Sequence, residues 1–269
     1  MKIGKLYSKE ERVNNFFSPA EICENMVNGC NNKAKLPISK MLILGIFAGV
    51  FIGFGAYGFT VITSGAGTGF EATFAKYIGA GVFPVGLMLV VLCGAELFTG
   101  NNLMTLSVFK KEITVGAMLR NWGVVWVANL IGSVLLAWLM SQSGLYGEAM
   151  TAKAIGIAEA KVAIPLFPVI IRAIFCNILV VLAVWMQSGA KDVIGKIFAI
   201  WFPIMLFVLS GFEHSVANMF FIPMGILCGA DITWAQAFLN NIIPVTLGNI
   251  IGGAIIIPVC YHFSYAKKA

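Results

Sequence analysis

Residues Gly94–Asn101 read GAELFTGN and residues Gly211–Asn218 read GFEHSVAN, so the two octets share the pattern G-x-E-x-x-x-x-N at an offset of 117. Each octet interrupts a long apolar region, 77–111 in the first case and 197–230 in the second. A second pair lies at nearly the same spacing: Asn121, Asn129 and Gly132 correspond to Asn241, Asn249 and Gly252 at an offset of 120. Two agreeing offsets indicate two homologous halves. Each half holds three hydrophobic crossings, and an odd number forces the halves to face opposite ways in a membrane. In such inverted repeats, substrates bind near the midplane between discontinuous helices. Broken backbone at that depth persists only where it is packed in protein or lines a cavity. Two breaks at equivalent positions therefore point to one shared pathway.

The rest of the chain supports a membrane setting. Of its 269 residues, 59% are hydrophobic and 11% charged, against about 25% charged in a soluble domain. Uncharged stretches able to cross about 30 Å of hydrocarbon lie at 41–70, 121–147, 173–190 and 232–266. With the two interrupted regions they give six crossings, the second and fifth broken. The expected fold is thus an all-α integral membrane protein with six transmembrane helices in two inverted three-helix repeats. Repeat one is placed at about 41–147 and repeat two at about 162–266.

Orientation follows from the basic residues. One side receives Lys2, Lys5, Lys9, Arg12, Lys33, Lys35, Lys40, Lys110, Lys111, Arg120, Lys191, Lys196, Lys267 and Lys268, which is fourteen; the other receives Lys76, Lys153 and Lys161, which is three. Arg172 sits at the outer part of span four. Both termini are expected in the cytoplasm, which also accounts for the net charge of +6 without nucleic acid, because the basic residues form no stripe. Residues 1–40 read as a cytoplasmic N-terminal segment ahead of a channel domain at 41–266, and no cleavable signal is expected. Within the segment, 18–31 read as an amphipathic helix. Ser18 is its N-cap, Pro19 suits the first turn, Glu21 closes a capping box, and Ile22, Met26, Val27 and Cys30 share a face. It is expected either to lie on the membrane surface or to gate the pore mouth.

The breaks carry the chemistry. A new half-helix is expected after each, with Asn101 and Asn218 near its start as residues of the N-cap type. Inverted symmetry aims both N-termini at the middle, and each carries roughly half a positive charge. Together they favour an anion over a cation. Glu96 and Glu213 are read as structural, accepting hydrogen bonds from the broken backbone, where an unmet buried donor costs about 1–3 kcal/mol. The alternative is a proton relay through Glu213 and His214. His214 stands where the first half has Leu97. Its ring is read as a hydrogen-bond or proton donor to a passing anion, against the plainer reading of a packed core histidine. Thr99 either supplies a second donor or satisfies backbone. Lys161 is either a solvated interfacial lysine or an attractive vestibule charge, and it is a candidate partner for an unspecified carboxylate. Six cysteines without a C-x-x-C and only two histidines, His214 and His262, argue against a disulfide framework and any metal centre. No cofactor is expected.

On these residues the chain resembles the formate/nitrite transporter family, through Gly94–Asn101, Ser210–Pro223 (SGFEHSVANMFFIP), Ile243–Gly253 (IPVTLGNIIGG) and 120–132 (RNWGVVWVANLIG). The resemblance covers about residues 20–265. It implies an aquaporin-like fold, a homopentamer with one pore per protomer, and passage of small monovalent anions: formate, nitrite, chloride or hydrosulfide. By position it implies that His214 is the central pore histidine, Thr99 the loop threonine and Lys161 the vestibule lysine. Leu87, Leu97 and Phe207 would be apolar constrictions, with Asn177 and Asn249 polar groups near the histidine. Pro84 departs from the family pattern, since formate channels carry Phe there, and Arg172 departs too. Likeness is greatest to the hydrosulfide channels of anaerobic bacteria, which places the protein in a bacterial inner membrane.

Three functions compete. The first is a selective anion channel or its proton-coupled variant. The second is a neutral-solute facilitator, disfavoured because no Asn-Pro-Ala occurs. The third is an intramembrane enzyme using Ser210, Glu213 and His214, disfavoured because side chains so close in sequence point apart and no H-E-x-x-H or G-x-S-x-G occurs.

Overall fold

The computed structural model describes residues 15–266. Lys2, Lys5, Lys9, Arg12, Lys267 and Lys268, which entered the charge count, lie outside the described residues. Six helical segments among the described residues are long and apolar enough to cross a membrane. Span one is α2 (Ile38–Thr63), and span two comprises α3 (Phe70–Val82) and α4 (Val85–Leu92). After a loop the chain resumes as α5 (Phe98–Asn101), a 3-10 turn and α6 (Thr105–Phe109). Span three is α7 (Val115–Gln142), span four α9 (Leu166–Gly189), and span five α10 (Val193–Ser210) followed after its break by α11 (Ser215–Leu227). Span six runs from Trp234 to Tyr265 as α12 (Trp234–Gln236), α13 (Ile243–Ile250) and α14 (Ile257–Tyr265). These are joined by π-turns at Ala237–Ile242 and Ile251–Ile256.

Some boundaries differ from the hydropathy reading. Span one stops at Thr63, not 70, because the glycine-rich stretch 64–69 turns the chain. Span four starts at Leu166, where Pro165 is extended at the N-cap position. Arg172 therefore lies within the helix, nearly two turns from its start.

Close helix approach is built from small residues, as usual within membranes. At Gly132 an added Cβ would stand 2.0 Å from the Ile46 carbonyl oxygen, and at its counterpart Gly252 it would stand 2.2 Å from that of Ile174. These contacts press α7 onto α2 and span six onto α9. Residues related by 120 positions also touch each other: Trp126 Nε1 donates to Thr246 Oγ1 at 3.1 Å, and Trp201 Nε1 donates to the Gly81 carbonyl at 2.8 Å. Such contacts mark the pseudo-two-fold axis between the halves.

Two amphipathic helices complete the frame. Helix α1 (Pro19–Ala34) forms as its sequence dictates, with Ser18 and Glu21 in a reciprocal capping box and Ile22, Cys23, Val27 and Cys30 buried. Its far end is held by Arg120, whose Nη2 donates to the Ala34 and Leu36 carbonyls at 2.7 and 3.1 Å. Asn31 donates to Glu112, and Ser107 Oγ donates to the Val27 carbonyl at 3.2 Å. Burial pushes the Cys30 thiol up to about 12. Its counterpart in the second half is α8 (Glu148–Val162), a helix that the hydropathy pattern does not announce. Each helix carries a lysine in its last turn, Lys33 in α1 and Lys161 in α8. The two ends of the molecule are called here the α1 mouth and the α8 mouth.

Candidate functional site

At each break the chain leaves its helix through a glycine with positive φ, Gly94 at +82° and Gly211 at +72°. This left-handed geometry favours glycine. The exposed backbone is then tied down by one asparagine from the facing span. Asn129 Oδ1 accepts the Phe98 N–H at 2.9 Å, while its Nδ2 donates to the carbonyls of Gly45 and Glu96 at 2.8 and 2.9 Å. Asn249 repeats this: Oδ1 accepts the Ser215 N–H at 2.9 Å, and Nδ2 donates to the carbonyls of Ala173 and Glu213 at 2.8 and 3.0 Å.

The two glutamates accept hydrogen bonds in equivalent networks. Lys33 Nζ donates to Glu96 Oε1 at 2.6 Å, Asn101 Nδ2 donates to Glu96 Oε2 at 2.7 Å, and the same amide reaches Asn121 Oδ1 at 2.8 Å. In the other half Lys161 Nζ donates to both Glu213 oxygens at 2.9 and 3.1 Å. Asn218 Nδ2 donates to Glu213 Oε2 and to Asn241 Oδ1, both at 2.6 Å. Asn121 and Asn241 donate in turn to the carbonyls of Lys33 and Lys161. The carboxylate that Lys161 seeks is thus Glu213. Lys33, visible in the sequence only as a topology charge, holds the matching place.

The half-helix starts differ from expectation. The N-caps are Leu97 and His214, not Asn101 and Asn218. Those asparagines fall at the fourth helical position and donate to the glutamates. Nor are the helix tips bare. The first amide of each is taken by Asn129 or Asn249, and the Ala217 N–H donates to His214 Nδ1 at 3.1 Å. Much of the converging positive potential is therefore already satisfied inside the protein. The N-terminal ends do meet, because Thr99 Oγ1 lies 2.8 Å from His214 Nε2. With Nδ1 an acceptor, the neutral imidazole carries its proton on Nε2 and donates it to Thr99 Oγ1. Nδ1 is the one nitrogen left that could take up a proton, and protonating it would turn that acceptor into a donor facing the Ala217 N–H, so in this arrangement the ring offers a hydrogen bond and not a proton relay.

Three cavities line up through the molecule. At the α8 mouth one of about 290 Å³ is lined by Lys76, Lys161, Glu213, Phe83, Phe207 and His214 among others. It meets a central void of about 10 Å³ walled by Ile52, Phe83, Leu87, Leu97, Val180, Ile204, Phe207 and His214. At the α1 mouth a cavity of about 530 Å³ includes Met26, Lys33, Leu87, Glu96, Leu97 and Gln187. Phe83, Phe207 and His214 are shared by the first two cavities and Leu87 and Leu97 by the last two, so these residues form two constrictions in series. His214 is the single polar side chain on the central void, which has room for about one water.

Several expected site residues stand elsewhere. Asn249 lines none of the three cavities, since its amide is consumed by backbone. Asn177 lines none either; its Nδ2 donates to Asn102 Oδ1 and the Asn249 carbonyl, both at 2.7 Å. Thr99 is fully buried and reaches the conduit only through the histidine. The aromatic missing at Pro84 is supplied by Phe83, whose ring meets Phe207 edge-on at 5.5 Å. The helix turns at Phe83–Pro84, which carries that ring into the conduit. Ile52, Val180 and Ile204 carried no sequence signal beyond hydrophobicity. Arg172 is exposed and lines none of the three cavities, although its carbonyl accepts the Glu213 N–H at 3.4 Å.

An inverted-repeat membrane fold, pierced by a conduit with paired constrictions, defines a multi-pass membrane transport protein. The sequence model described as formate/nitrite transporter matches residues 20–263, and the chain belongs to that family. A probable formate transporter of Methanothermobacter thermautotrophicus is 44% identical, over 94% of this chain and 98% of its own length. Among solved structures, a pentameric formate channel with formate bound is 34% identical with TM-score 0.76, covering 86% of this chain and 98% of its own. An FNT family ion channel is 28% identical with TM-score 0.83, covering 91% and 98%. These relatives are transporters and channels, not enzymes.

Proposed function

We propose that the protein passes small monovalent anions, formate foremost, through one conduit per protomer of a homopentamer. The observation that carries this reading is the central void: an apolar sleeve whose one polar side chain is an imidazole held as a donor. A weakly hydrated monovalent ion sheds its water there at modest cost, whereas a divalent one loses far more hydration. Formate is supported by the relatives' names. Nitrite, chloride and hydrosulfide share its size and charge, and hydrosulfide preference rests only on likeness of sequence. We assign His214 as the pathway's polar contact, with Thr99 as its acceptor and Leu87, Leu97, Phe83 and Phe207 as the constrictions. Glu96, Asn101, Glu213 and Asn218 act as scaffold. The α1 mouth is placed in the cytoplasm from the excess of Lys and Arg on that side, in the membrane of a bacterial cell.

A second reading, transport of formate together with a proton, is favoured by the same void, because a neutral acid crosses apolar surroundings far more cheaply than its anion. Flux into proteoliposomes tests both. Formate should enter and sulfate should not; equal rates would sink the selectivity claim. Formate entry that alkalinises the bath without carrying current would mark the proton-coupled form.

A further inference from the structure

We propose that Lys76 is the anion-gathering cation of the α8 mouth and that Lys161, lining the same cavity, does not fill that role. The inference rests on the reading of the conduit as an anion pathway. Three charged side chains line that cavity: Lys76, Lys161 and Glu213. Lys161 is spent. Its ammonium bridges both Glu213 oxygens at 2.9 and 3.1 Å and lies over the Phe221 ring at 5.4 Å from its centre. The Lys161 side chain is 16% exposed and that of Glu213 5%, so an anion arriving in the cavity meets a locked pair of zero net charge.

Lys76 differs in each respect. It stands on α3, six residues beyond Phe70, and is exposed. No carboxylate among the described residues pairs with it. The acid nearest on its own helix, Glu71, is five positions away and lies off its face, since helical neighbours stand three or four apart. The cavity therefore carries one uncompensated positive charge against aromatic walls, an arrangement that focuses field lines and raises local anion concentration. Among the described residues the α1 mouth has no such charge: Lys33 and Glu96, paired at 2.6 Å, are the charged residues lining it. The two halves, otherwise matched residue for residue in their ion pairs, are thus asymmetric in net charge at their mouths. Anions are collected on the α8 side.

A unit charge about 7 Å from an anion in water raises its local concentration on the order of threefold, and salt removes the effect as the screening length falls from about 30 Å at 0.01 M to about 3 Å at 1 M. The test is initial formate influx into proteoliposomes, well below half-saturation, at low and at high ionic strength. Lys76→Gln is expected to lower the low-salt rate on the order of threefold and to match wild type at high salt, with Lys76→Arg restoring the low-salt rate. Lys161→Gln is expected to depress flux at both salts, because it leaves the Glu213 carboxylate unpaired in the path. Equal low-salt rates for Lys76→Gln and wild type would overturn the proposal. So would a deficit that salt leaves unchanged. Wild-type vesicles that carry no formate at either ionic strength would instead bring down the anion reading itself. Because Lys76 is exposed, both Lys76 variants should elute from size exclusion as wild type does.

Discussion

Replacing His214 separates two jobs that the ring performs at once. Its Nδ1 accepts the Ala217 N–H at 3.1 Å, and its Nε2 meets Thr99 Oγ1 at 2.8 Å. His214→Ala removes both. Loss of a helix cap costs about 1 kcal/mol, and the Thr99 hydroxyl, fully buried, is stranded at a further cost of about 1–3 kcal/mol. The sum, about 2–4 kcal/mol, is a large part of a typical 5–15 kcal/mol stability without exceeding it. His214→Asn keeps an oxygen at the cap and forfeits only the reach to Thr99. It should therefore recover about 1 kcal/mol, which corresponds to about 2–4 °C in Tm for a chain of this size. Thermal unfolding of the purified protein in detergent reads that difference. Formate flux between pH 5.5 and 8, read on the same two variants, tests the other job: both lose the imidazole N–H, so both should show strongly altered flux at every pH in that range. Wild-type flux at every pH in His214→Asn would refute the reasoning, because the ring would then be a cap and nothing more.

Other changes test the scaffold. Asn249→Leu deletes three hydrogen bonds of 2.8–3.0 Å and strands their backbone partners at about 1–3 kcal/mol each, so no monodisperse protein should survive purification. Lys161→Met alone leaves a buried carboxylate, and the double change Lys161→Met with Glu213→Gln should be more stable than that single change; the order of the two melting temperatures decides. Cys30 is raised to about 12 by burial, above the ordinary thiol range of about 8.5. Docking of α1 thus keeps this contribution in full below pH 8.5 and loses it as pH rises toward 12. Maleimide at pH 7.5 should spare Cys30 while labelling the exposed Cys260, and equal labelling would show α1 undocked.

The inverted repeat was legible because each break needs the same parts: a glycine to turn, a glutamate to collect donors, and an asparagine from the next span. These residue types stand out against an apolar background. His214 was legible as the departure from symmetry, standing where Leu97 stands in the other half. What stayed hidden were contacts between distant segments. Nothing local to Lys33 or Lys161 says which carboxylate each meets, and α8 is too polar to register as a span. Asn101 and Asn218 were misread as caps because N-cap preference is a local rule, and the facing spans already supply Asn129 and Asn249 to the first amides. Phe83 was overlooked because the turn at Phe83–Pro84 moves the aromatic one position from its expected place.

The π-turns of span six permit one more deduction. Asn241, Asn249 and Gly252 keep the spacing of Asn121, Asn129 and Gly132 in a span three that is α-helical throughout. One widened turn ends just past Asn241 and the other begins just before Gly252. Such a turn takes up a surplus residue, so length variation is absorbed at the edges of this window and not between its two asparagines. Trimming one position at Leu239 or Ile255, both facing outward, would re-phase an end of the helix and leave the clamp in register, giving evolution two places to edit this span without touching its working centre.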